Sequence, residues 1–394
     1  MSKTSVFSSK YPIKKISDVC MVIAGQSPES KYYNSDGKGL PFYQGKKEFT
    51  KKYLGKPTIW TSKITKEAQE DDILMSVRAP VGPVNFATQK ICIGRGLAAI
   101  RSSEKANKNY LFYFFLMFES KIEGNNGAIF DSINKDQIGK IEVPLPTLSE
   151  QKHIVAILDD AFTAIDQTKA NIEKNIENTR ELFQNRLNEI FSHKGEGWEE
   201  KRLSDVCIGF QYGTSSKSNP TGKIPVLRMG NLQDGEIDWS DLQFTSNSVD
   251  IEKYLLEKDD VLFNRTNSAE LVGKSAIYKG EQDAIFAGYL IRILRNKDLL
   301  DGGFLNFYLM SPQVREYGFS VMSSSVHQAN ISASKLKNYK IFLPSIVIQR
   351  KIVDNILLLN REITKIEESY NSKLSTLEQL KNSLLQKAFA GELT

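Results

Sequence analysis

The sequence predicts an α/β fold: two tandem α/β domains joined by two long helices, which pack as an antiparallel coiled coil about a pseudo-twofold axis. Three observations predict it. The chain has 394 residues, more than one ordinary hydrophobic core organises. Its second half repeats the pattern of its first half, and each half ends in a long segment with helical spacing of its apolar residues.

The repeat is clearest in two segments that lie 198 residues apart without a gap. Residues 145–158 read LPTLSEQKHIVAIL, and residues 343–356 read LPSIVIQRKIVDNI. Identical pairs in this register include Gln151 with Gln349, Leu182 with Leu380, and Phe191 with Phe389. The chain therefore carries one structural element twice.

A weaker repeat precedes each of these segments. Residues 14–20 read KKISDVC and recur as KRLSDVC at 201–207, while DDILMSVR at 71–78 recurs as DDVLFNR at 259–265. The offsets are 187 and 188, so the loop lengths differ between the copies. We divide the chain into a first domain (1–145), a first helical segment (146–194), a second domain (195–343) and a second helical segment (344–394).

The two helical segments each predict one helix of about 40 residues. Their apolar residues mostly recur every three, four or seven positions, and neither contains glycine or proline between its flanking proline and the end of the helical pattern. Ser149 and Ser345 are the expected N-caps, and Gly391 is the expected stop. Because a lone helix cannot bury such a stripe, we expect the two copies to pair antiparallel. The alternative is that each helix lies on its own domain.

The two globular halves predict a mixed α/β structure. Short β-rich runs include DDILMSV, KICIGRGLAAI, KIPVLRM, DDVLFN and AGYLIRIL. Asn109–Ile122 and Phe304–Tyr317 occupy equivalent places, and their aromatic composition is typical of core helices.

Composition restricts the class of protein. Hydrophobic residues make up 40% of the chain and charged residues 25%, which is typical of a folded globular protein rather than a disordered one. A secretory signal and an uninterrupted apolar stretch of membrane-spanning length are both missing from the sequence, so we expect a cytoplasmic protein. The three cysteines, Cys20, Cys92 and Cys207, are expected to pack as small hydrophobic residues.

Positive charge is concentrated near the N-terminus. Residues 1–145 carry a net charge of +8 and the remainder carries −3. In QGKKEFTKKY, at 44–53, basic and aromatic residues interleave. This pattern favours a polyanionic partner, although a solvated lysine-rich surface has the same composition.

The sequence contains only incomplete matches to enzyme motifs. VGKSA at 272–276 lacks the first glycine of a phosphate-binding loop, because Ser268 stands there. GRGLAA at 94–99 precedes a strand-like rather than a helical stretch. The histidines His153, His193 and His327 lack metal or triad spacing. The chain is therefore predicted to be non-catalytic, with no metal or cofactor of its own.

The loops contain side chains that can pair with base edges or phosphates. The alternative for each is an ordinary turn or capping role. The candidate DNA-binding residues are Gln44, Lys46, Lys47, Ser76, Arg78, Asn85, Arg95, Arg228, Asn231, Asn264, Arg265, Asn267, Ser268, Lys274, His327, Gln328 and Asn330.

These segments resemble the specificity subunit of type I restriction-modification systems. The resemblance covers essentially the whole chain and is carried by the Leu-Pro entries, EQKHIVAIL, SVRAPVGPVNFATQKICIGRGLAAI, LFNRTNSAELVGKSAIY and LKNSLLQKAFAGEL. One departure is Ile348, where the family usually has glutamate.

The resemblance implies a DNA-recognition subunit without catalysis. Its two domains would be target-recognition domains that read one part each of a split, asymmetric site in double-stranded DNA. Its helices would be conserved spacers that hold two modification subunits, and restriction subunits would join them. S-adenosylmethionine, ATP and Mg would bind to those partners, and the complex would methylate adenine N6 and cleave DNA. Two alternatives are an assembly scaffold and the recognition part of a fused restriction or methylation enzyme.

Overall fold

The computed structural model describes residues 9–124, 132–193, 195–325 and 328–393. The chain divides into two compact units. The first comprises Met1–Ile172 with Asn371–Thr394, and the second comprises Glu173–Tyr370. Each unit thus contains one globular domain and a part of both long helices.

The first unit contains three antiparallel or mixed sheets and a buried aromatic helix. Its helices are α1 (Ile16–Val19), α2 (Lys108–Gly124), α3 (Lys135–Gly139) and the first part of α4 (Leu148–Ser192). Its strands are β1 (Ile13–Lys15), β2 (Cys20–Ala24), β3 (Tyr33–Asn34), β4 (Leu40–Tyr43), β5 (Trp60–Thr61), β6 (Glu67–Ala68), β7 (Ile73–Ser76), β8 (Val84–Phe86), β9 (Ile91–Ile93), β10 (Leu97–Ser102) and β11 (Glu142–Pro144).

The second unit repeats this plan with additional short strands. Its helices are α5 (Leu203–Val206), α6 (Ser248–Tyr254), α7 (Gly302–Met310), α8 (Pro312–Val321), α9 (Ala333–Leu336) and the first part of α10 (Ile346–Ala390). Its strands are β12 (Glu199–Arg202), β13 (Cys207–Tyr212), β14 (Ile224–Leu227), β15 (Leu232–Gln233), β16 (Glu236–Ile237), β17 (Gln243–Thr245), β18 (Val261–Asn264), β19 (Thr266–Asn267), β20 (Ser275–Ile277), β21 (Ile285–Phe286), β22 (Leu290–Arg295), β23 (Ser323–Ser325), β24 (Gln328–Asn330) and β25 (Lys340–Leu343).

Sheet order shows the repeat in three dimensions. The first unit has the order β2-β10-β7-β8, and the second has β13-β22-β18-β20. Each unit also pairs one short strand in parallel, β4 with β9 in the first and β14 with β21 in the second. The mixed α/β prediction is confirmed, and the β-rich runs of the sequence all contain strands.

The two long helices have 45 residues each, slightly more than predicted. The expected cap Ser149 is wrong, because α4 begins at Leu148. Thr147 caps it instead: Glu150 donates its amide to the Thr147 hydroxyl (3.3 Å) and its carboxylate accepts from the Thr147 amide (3.0 Å).

The second long helix begins and ends where the sequence predicts. Helix α10 starts directly after Ser345 and stops at Ala390. Gly391 follows with a φ of 86°, and the amide of Glu392 donates to the carbonyl of Lys387 (2.8 Å). This bond satisfies a carbonyl of the last turn, as in a Schellman motif.

Within each unit the two long helices run antiparallel. In the first unit Lys169 of α4 pairs with Glu378 of α10. In the second unit Arg180 of α4 pairs with Glu367 of α10 at 2.8 Å. Later residues of α4 therefore meet earlier residues of α10, which confirms the predicted antiparallel coiled coil.

The helices also pack on the globular cores, so the alternative arrangement holds at the same time. Phe389 of α10 lies in one core with Ile154 of α4 and contacts the rings of Tyr110 and Phe114 of α2. In the second unit Leu187 and Ile356 share a core with α7. One apolar stripe is thus shared between a partner helix and a domain.

The aromatic helices differ in one respect from the prediction. Helix α2 covers the expected Asn109–Ile122. The expected helix at Phe304–Tyr317 is two helices, because Ser311 adopts an extended backbone before Pro312. Proline disfavours the helical conformation in the residue before it, and here it starts the next helix at its first position.

None of the helices in the described ranges is both long and apolar enough to cross a membrane.

Candidate nucleic-acid interface

Loops of the first unit meet where strands β2 and β4 end and where β10 begins. Gly25 donates its amide to the carbonyl of Leu97 (2.9 Å), and Gly96 donates to that of Gln44 (3.1 Å). A Cβ atom on Gly25 would lie 2.1 Å from the Gly94 oxygen, and one on Gly96 would lie 2.4 Å from the Gln44 oxygen. Only glycine permits such close approach of two backbones.

We call residues 24–27, 43–47, 77–78 and 94–96 the first loop cluster. It presents five of the predicted DNA-binding residues with exposed side chains, and these are Gln44, Lys46, Lys47, Arg78 and Arg95. Four of the five are cationic, so this cluster suits the phosphates of a nucleic acid as well as its base edges.

The second unit builds an equivalent arrangement with the same backbone bonds. In the first unit Gly94 donates its amide to the carbonyl of Tyr43 (2.8 Å), and in the second Ala287 donates to Leu227 (2.9 Å). The residues that follow Tyr43 and Gly94 in the first unit therefore correspond to those that follow Leu227 and Ala287 in the second. We call residues 212–214, 228–230, 264–268 and 287–289 the second loop cluster.

Arg78 and Arg265, the arginines that end the two repeated runs, are equivalent neither at the sequence offset of 188 nor in the structure. The amide of Val77 donates to the carbonyl of Gly96 (3.0 Å), and the amide of Arg265 donates to that of Tyr289 (3.0 Å). Arg265 therefore occupies the position of Val77, one residue before Arg78. The two clusters have the same pattern of backbone hydrogen bonds but carry their cations at different positions.

Arg265 is a cation of the second loop cluster that an aromatic ring and a backbone carbonyl hold in place. Its Cζ lies 4.7 Å from the ring centroid of Tyr212, and its Nη1 donates to the carbonyl of Gly288 (3.3 Å). Its Nε is buried and makes no hydrogen bond within the part of the chain that the structure describes. The ring and the carbonyl together restrict the guanidinium to a narrow set of rotamers.

A three-stranded sheet, β19-β24-β23, adds polar side chains beside Arg265. The carbonyl of Arg265 accepts from the amide of Ile331 (2.8 Å), directly after β24. Of the predicted residues on this sheet and its turn, Ser268 and Gln328 are exposed, and Asn267 and Asn330 are half-buried. His327 lies outside the described residues.

Four predicted residues lie in the protein interior, where their polar groups bind backbone. Ser76 and Asn85 are 4% and 1% exposed, and Asn231 and Asn264 are 2% and 0% exposed. Asn85, for example, donates to and accepts from the backbone of Thr50 (2.8 and 2.9 Å). In this conformation these four side chains hold the loop backbones from the protein interior and are not presented to a duplex.

Two predicted cations are engaged by the protein itself. Arg228 pairs with Asp241 (3.0 Å), and its Nε is buried. Lys274 donates to the side-chain oxygen of Gln233 (2.8 Å), on the hairpin β15-β16. Lys274 is thus placed beside that hairpin and outside the second loop cluster.

The structure adds three candidates that the sequence reading missed. Gln26 is exposed in the first loop cluster. Tyr212 and Tyr289 are 40% and 49% exposed in the second. Each stands next to a glycine at a strand end, in AGQ, QYG and AGY, and that adjacency was the available signal.

The described ranges do not group the side chains that would hold a metal ion. No three His, Cys, Asp or Glu side chains there are grouped as metal ligands. Burial raises the pKa of the Cys20 thiol to about 12, and that of the Cys207 thiol also to about 12. Both thiols are therefore protonated at neutral pH, as expected of packing residues.

Comparison with known proteins identifies a family. The family model described as the type I restriction modification DNA specificity domain matches residues 8–178 and again 195–376. The chain is 28% identical over 318 residues to the type I restriction enzyme StySPI specificity subunit of Salmonella potsdam, covering 76% of this chain and 69% of that protein. It is 29% identical over 295 residues to the EcoKI specificity subunit of Escherichia coli K12, covering 71% and 63%.

A further relative matches a shorter segment more strongly. The MjaX specificity subunit sequence of Methanocaldococcus jannaschii is 46% identical over 158 residues, which cover 39% of this chain and only 37% of that protein.

Solved structures share the fold. A chain from a structural study of complex assembly and conformational transition in the type I R-M system has a TM-score of 0.76 at 19% identity, covering 97% of this chain and 98% of its own. The HsdS subunit of Thermoanaerobacter tengcongensis has a TM-score of 0.58 at 19% identity, with 97% of each chain covered. Both copies of the repeat match the same family model, so the chain belongs to the type I restriction-modification DNA specificity family, with one specificity domain in each half.

Proposed function

We propose that this chain reads a bipartite, asymmetric DNA site, one part with each loop cluster. The observation that carries the proposal is that one backbone arrangement occurs twice with different side chains. Gln44 in the first cluster corresponds to Arg228 in the second, and Arg95 corresponds to Gly288. Base-edge recognition depends on side-chain donors and acceptors, so two such clusters would read two different sequences.

The paired helices would serve as a spacer and as a platform for partner subunits. Leu182 of α4 and Leu380 of α10 are equivalent in the repeat, and both are exposed, at 58% and 45%. Exposed apolar side chains on a polar helix favour a protein partner. We propose two modification subunits on this platform, with restriction subunits joining them in the cytoplasm.

This chain would be non-catalytic alone, and its partners would supply the chemistry. S-adenosylmethionine would bind to the modification subunits, and ATP with Mg would bind to the restriction subunits. The assembled complex would methylate adenine at N6 and cleave DNA with ATP.

The experiment is to co-express the chain with its modification subunit and to map methylated adenines on random-sequence DNA. We expect one two-part motif with a fixed gap. Arg265→Ala should relax the sequence preference in one part only, by about 1 to 3 kcal/mol of discrimination. Lys258→Ala is the matched control, because Lys258 precedes β18 and Arg265 follows it, at the opposite end of that strand.

Two results would contradict the proposal. Methylation without a two-part motif would remove the reading role and favour an assembly scaffold. Equal relaxation of both parts in Arg265→Ala would assign Arg265 to the structure of the chain rather than to recognition.

A further inference from the structure

A cavity of about 280 Å³ lies within the second unit, between α7, the two long helices and the hairpin β15-β16. Phe183, Phe307, Val353 and Leu357 provide its apolar walls. Its lining residues include four acids, Asp234, Glu236, Asp259 and Asp301, of which Asp301 caps α7 by accepting from the amide of Phe304 (3.1 Å). The one cationic side chain among its described lining residues is Lys279, which pairs with Glu236 at 2.6 Å.

The internal repeat identifies the equivalent place in the first unit. There the amide of Phe86 donates to the carbonyl of Lys52 (2.8 Å), and here the amide of Ile277 donates to that of Gly235 (3.0 Å). Residues 87 and 278 follow with matching bonds to residues 72 and 260. Gly235 of the cavity wall therefore stands where the first unit has Lys52.

In the first unit this place is filled by the lysine side chain. The Nζ of Lys52 lies 5.9 Å from the ring centroid of Phe112 and 5.6 Å from that of Tyr113. It also pairs with Asp159 of α4 at 3.2 Å. The chain itself thus places an ammonium group on an alkyl stem against aromatic rings and a carboxylate, a favourable combination for a cation.

The second unit has smaller side chains at the matching positions. Helices α2 and α7 align because Gln151 accepts from the amide of Asn107 and Gln349 accepts from the amide of Asp301, at 2.7 and 2.8 Å. In this register Phe112 of the first unit corresponds to Asn306 of the second, and Lys108 corresponds to Gly302. On the long helices Phe162 corresponds to Asn360. Because these second-unit side chains are smaller than the aromatic and lysine side chains of the first unit, they leave a space that forms the cavity.

The sign of the charge is also reversed beside the cavity. Lys51 of the first unit pairs with Asp166 at 3.2 Å, and Asp234 occupies its position in the second unit. The cavity is therefore lined by both apolar and acidic residues. Such a lining suits a ligand with an apolar stem and a cationic end. The apolar part of such a ligand gains free energy from burial, and its cation gains it from the carboxylates.

We propose that this cavity binds an alkylammonium group whose stem takes the space of the Lys52 side chain in the first unit. Its charged end lies elsewhere than that of Lys52, because Leu357 stands where Asp159 pairs with Lys52. Its methylene stem contacts Phe307 and Phe183, and its ammonium faces the carboxylate of Asp234. The source is either a free aliphatic amine or a lysine side chain of another protein.

The test is calorimetric titration of the full chain at low ionic strength with 1,4-diaminobutane and, separately, with Nα-acetyl-lysine methylamide. The uncharged 1,4-butanediol is the control ligand. We expect saturable binding of at least one amine and none of the diol. Binding of the diamine alone identifies a free amine, and binding of the lysine derivative identifies a protein side chain.

Two variants separate the cavity from general charge attraction. Asn360→Phe restores the residue that the first unit has at this position and should abolish binding by filling the cavity. Asp234→Asn should weaken binding up to about fivefold, and asparagine tolerates the φ of 50° at this position. Glu252→Gln, an exposed acid on α6 outside the cavity lining, should leave binding unchanged. Binding of the diol as tight as that of the amines, or equal binding to wild type and Asn360→Phe, would overturn the proposal.

Discussion

At the residue scale, one buried glutamine in each unit joins the long helix to its domain. Gln151 is fully buried, accepts from the Asn107 amide (2.7 Å) and donates to the carbonyl of Pro146 (2.9 Å). Gln349 makes the same two kinds of bond in the second unit, at 2.8 Å each. The sequence repeat identified this pair, and the structure supplies the reason for it.

We predict that Gln151→Met destabilises the first unit by about 2 kcal/mol, because it leaves a buried amide and a buried carbonyl without partners. Amide hydrogen exchange at Asn109 and Tyr110 measures this locally, which suits a chain of two units better than one global transition. The control is Gln167→Met, at an exposed position of the same helix. Unchanged protection in Gln151→Met would refute the anchoring role.

A second residue-scale prediction concerns the thiols. Burial raises the pKa of Cys20 and of Cys207 to about 12 each, so the thiolate fraction at pH 7 is very small and increases as the pH approaches 12. Alkylation by iodoacetamide should therefore be slow in the folded chain at pH 7 and complete in urea. Mass spectrometry of the cysteine peptides measures this, and rapid modification of the folded chain at pH 7 would contradict it.

At the element scale, the two long helices follow directly from the sequence. An unbroken helical pattern, a terminal glycine and a single stripe specify two equal helices that need apolar contact. The apolar stripe alone did not decide whether each long helix packs on the other long helix or on its own domain. In the structure each helix does both. Phe389 packs on the aromatic helix α2 as well as beside α4, because a 45-residue helix exposes more apolar area than one partner covers.

We predict that removing two helical turns from both helices shortens the gap in the recognised site. Deleting Lys169–Asn175 and the facing Ser372–Glu378 removes about 10 Å of helix, equivalent to roughly three base pairs. Methylation mapping should show both half-sites unchanged. An unchanged gap in a folded, active deletion variant would reject the spacer role.

At the scale of the whole molecule, duplication supplies one scaffold with two sets of side chains. The positive charge concentrated in residues 1–145 is partly internal, because Lys51 and Lys52 pair with Asp166 and Asp159. Lys46 and Lys47 are exposed on a 3₁₀ turn and remain available to a polyanion. Net charge therefore overstates the charge that a duplex would meet.

We predict that DNA binding weakens steeply with salt and that the double variant Lys46→Gln, Lys47→Gln lowers the slope of log K against log salt by about 2, since each phosphate contact contributes about 0.9. Fluorescence anisotropy at several salt concentrations measures it. Lys90→Gln is the control, because Lys90 pairs with Glu67 (2.9 Å) at the other end of β9 from Arg95. A slope near zero for the wild type would favour an assembly scaffold over a DNA reader.

The sequence by itself determined the duplication, the α/β domains and the two long helices, because these depend on periodic patterns that repeat along the chain. Only the tertiary structure decided which polar loop residues face solvent. Asn85 and Asn264 have the same donors and acceptors as Gln44 and Gln328, yet the fold buries the first two, where their side chains bond to the backbone of Thr50 and Leu271.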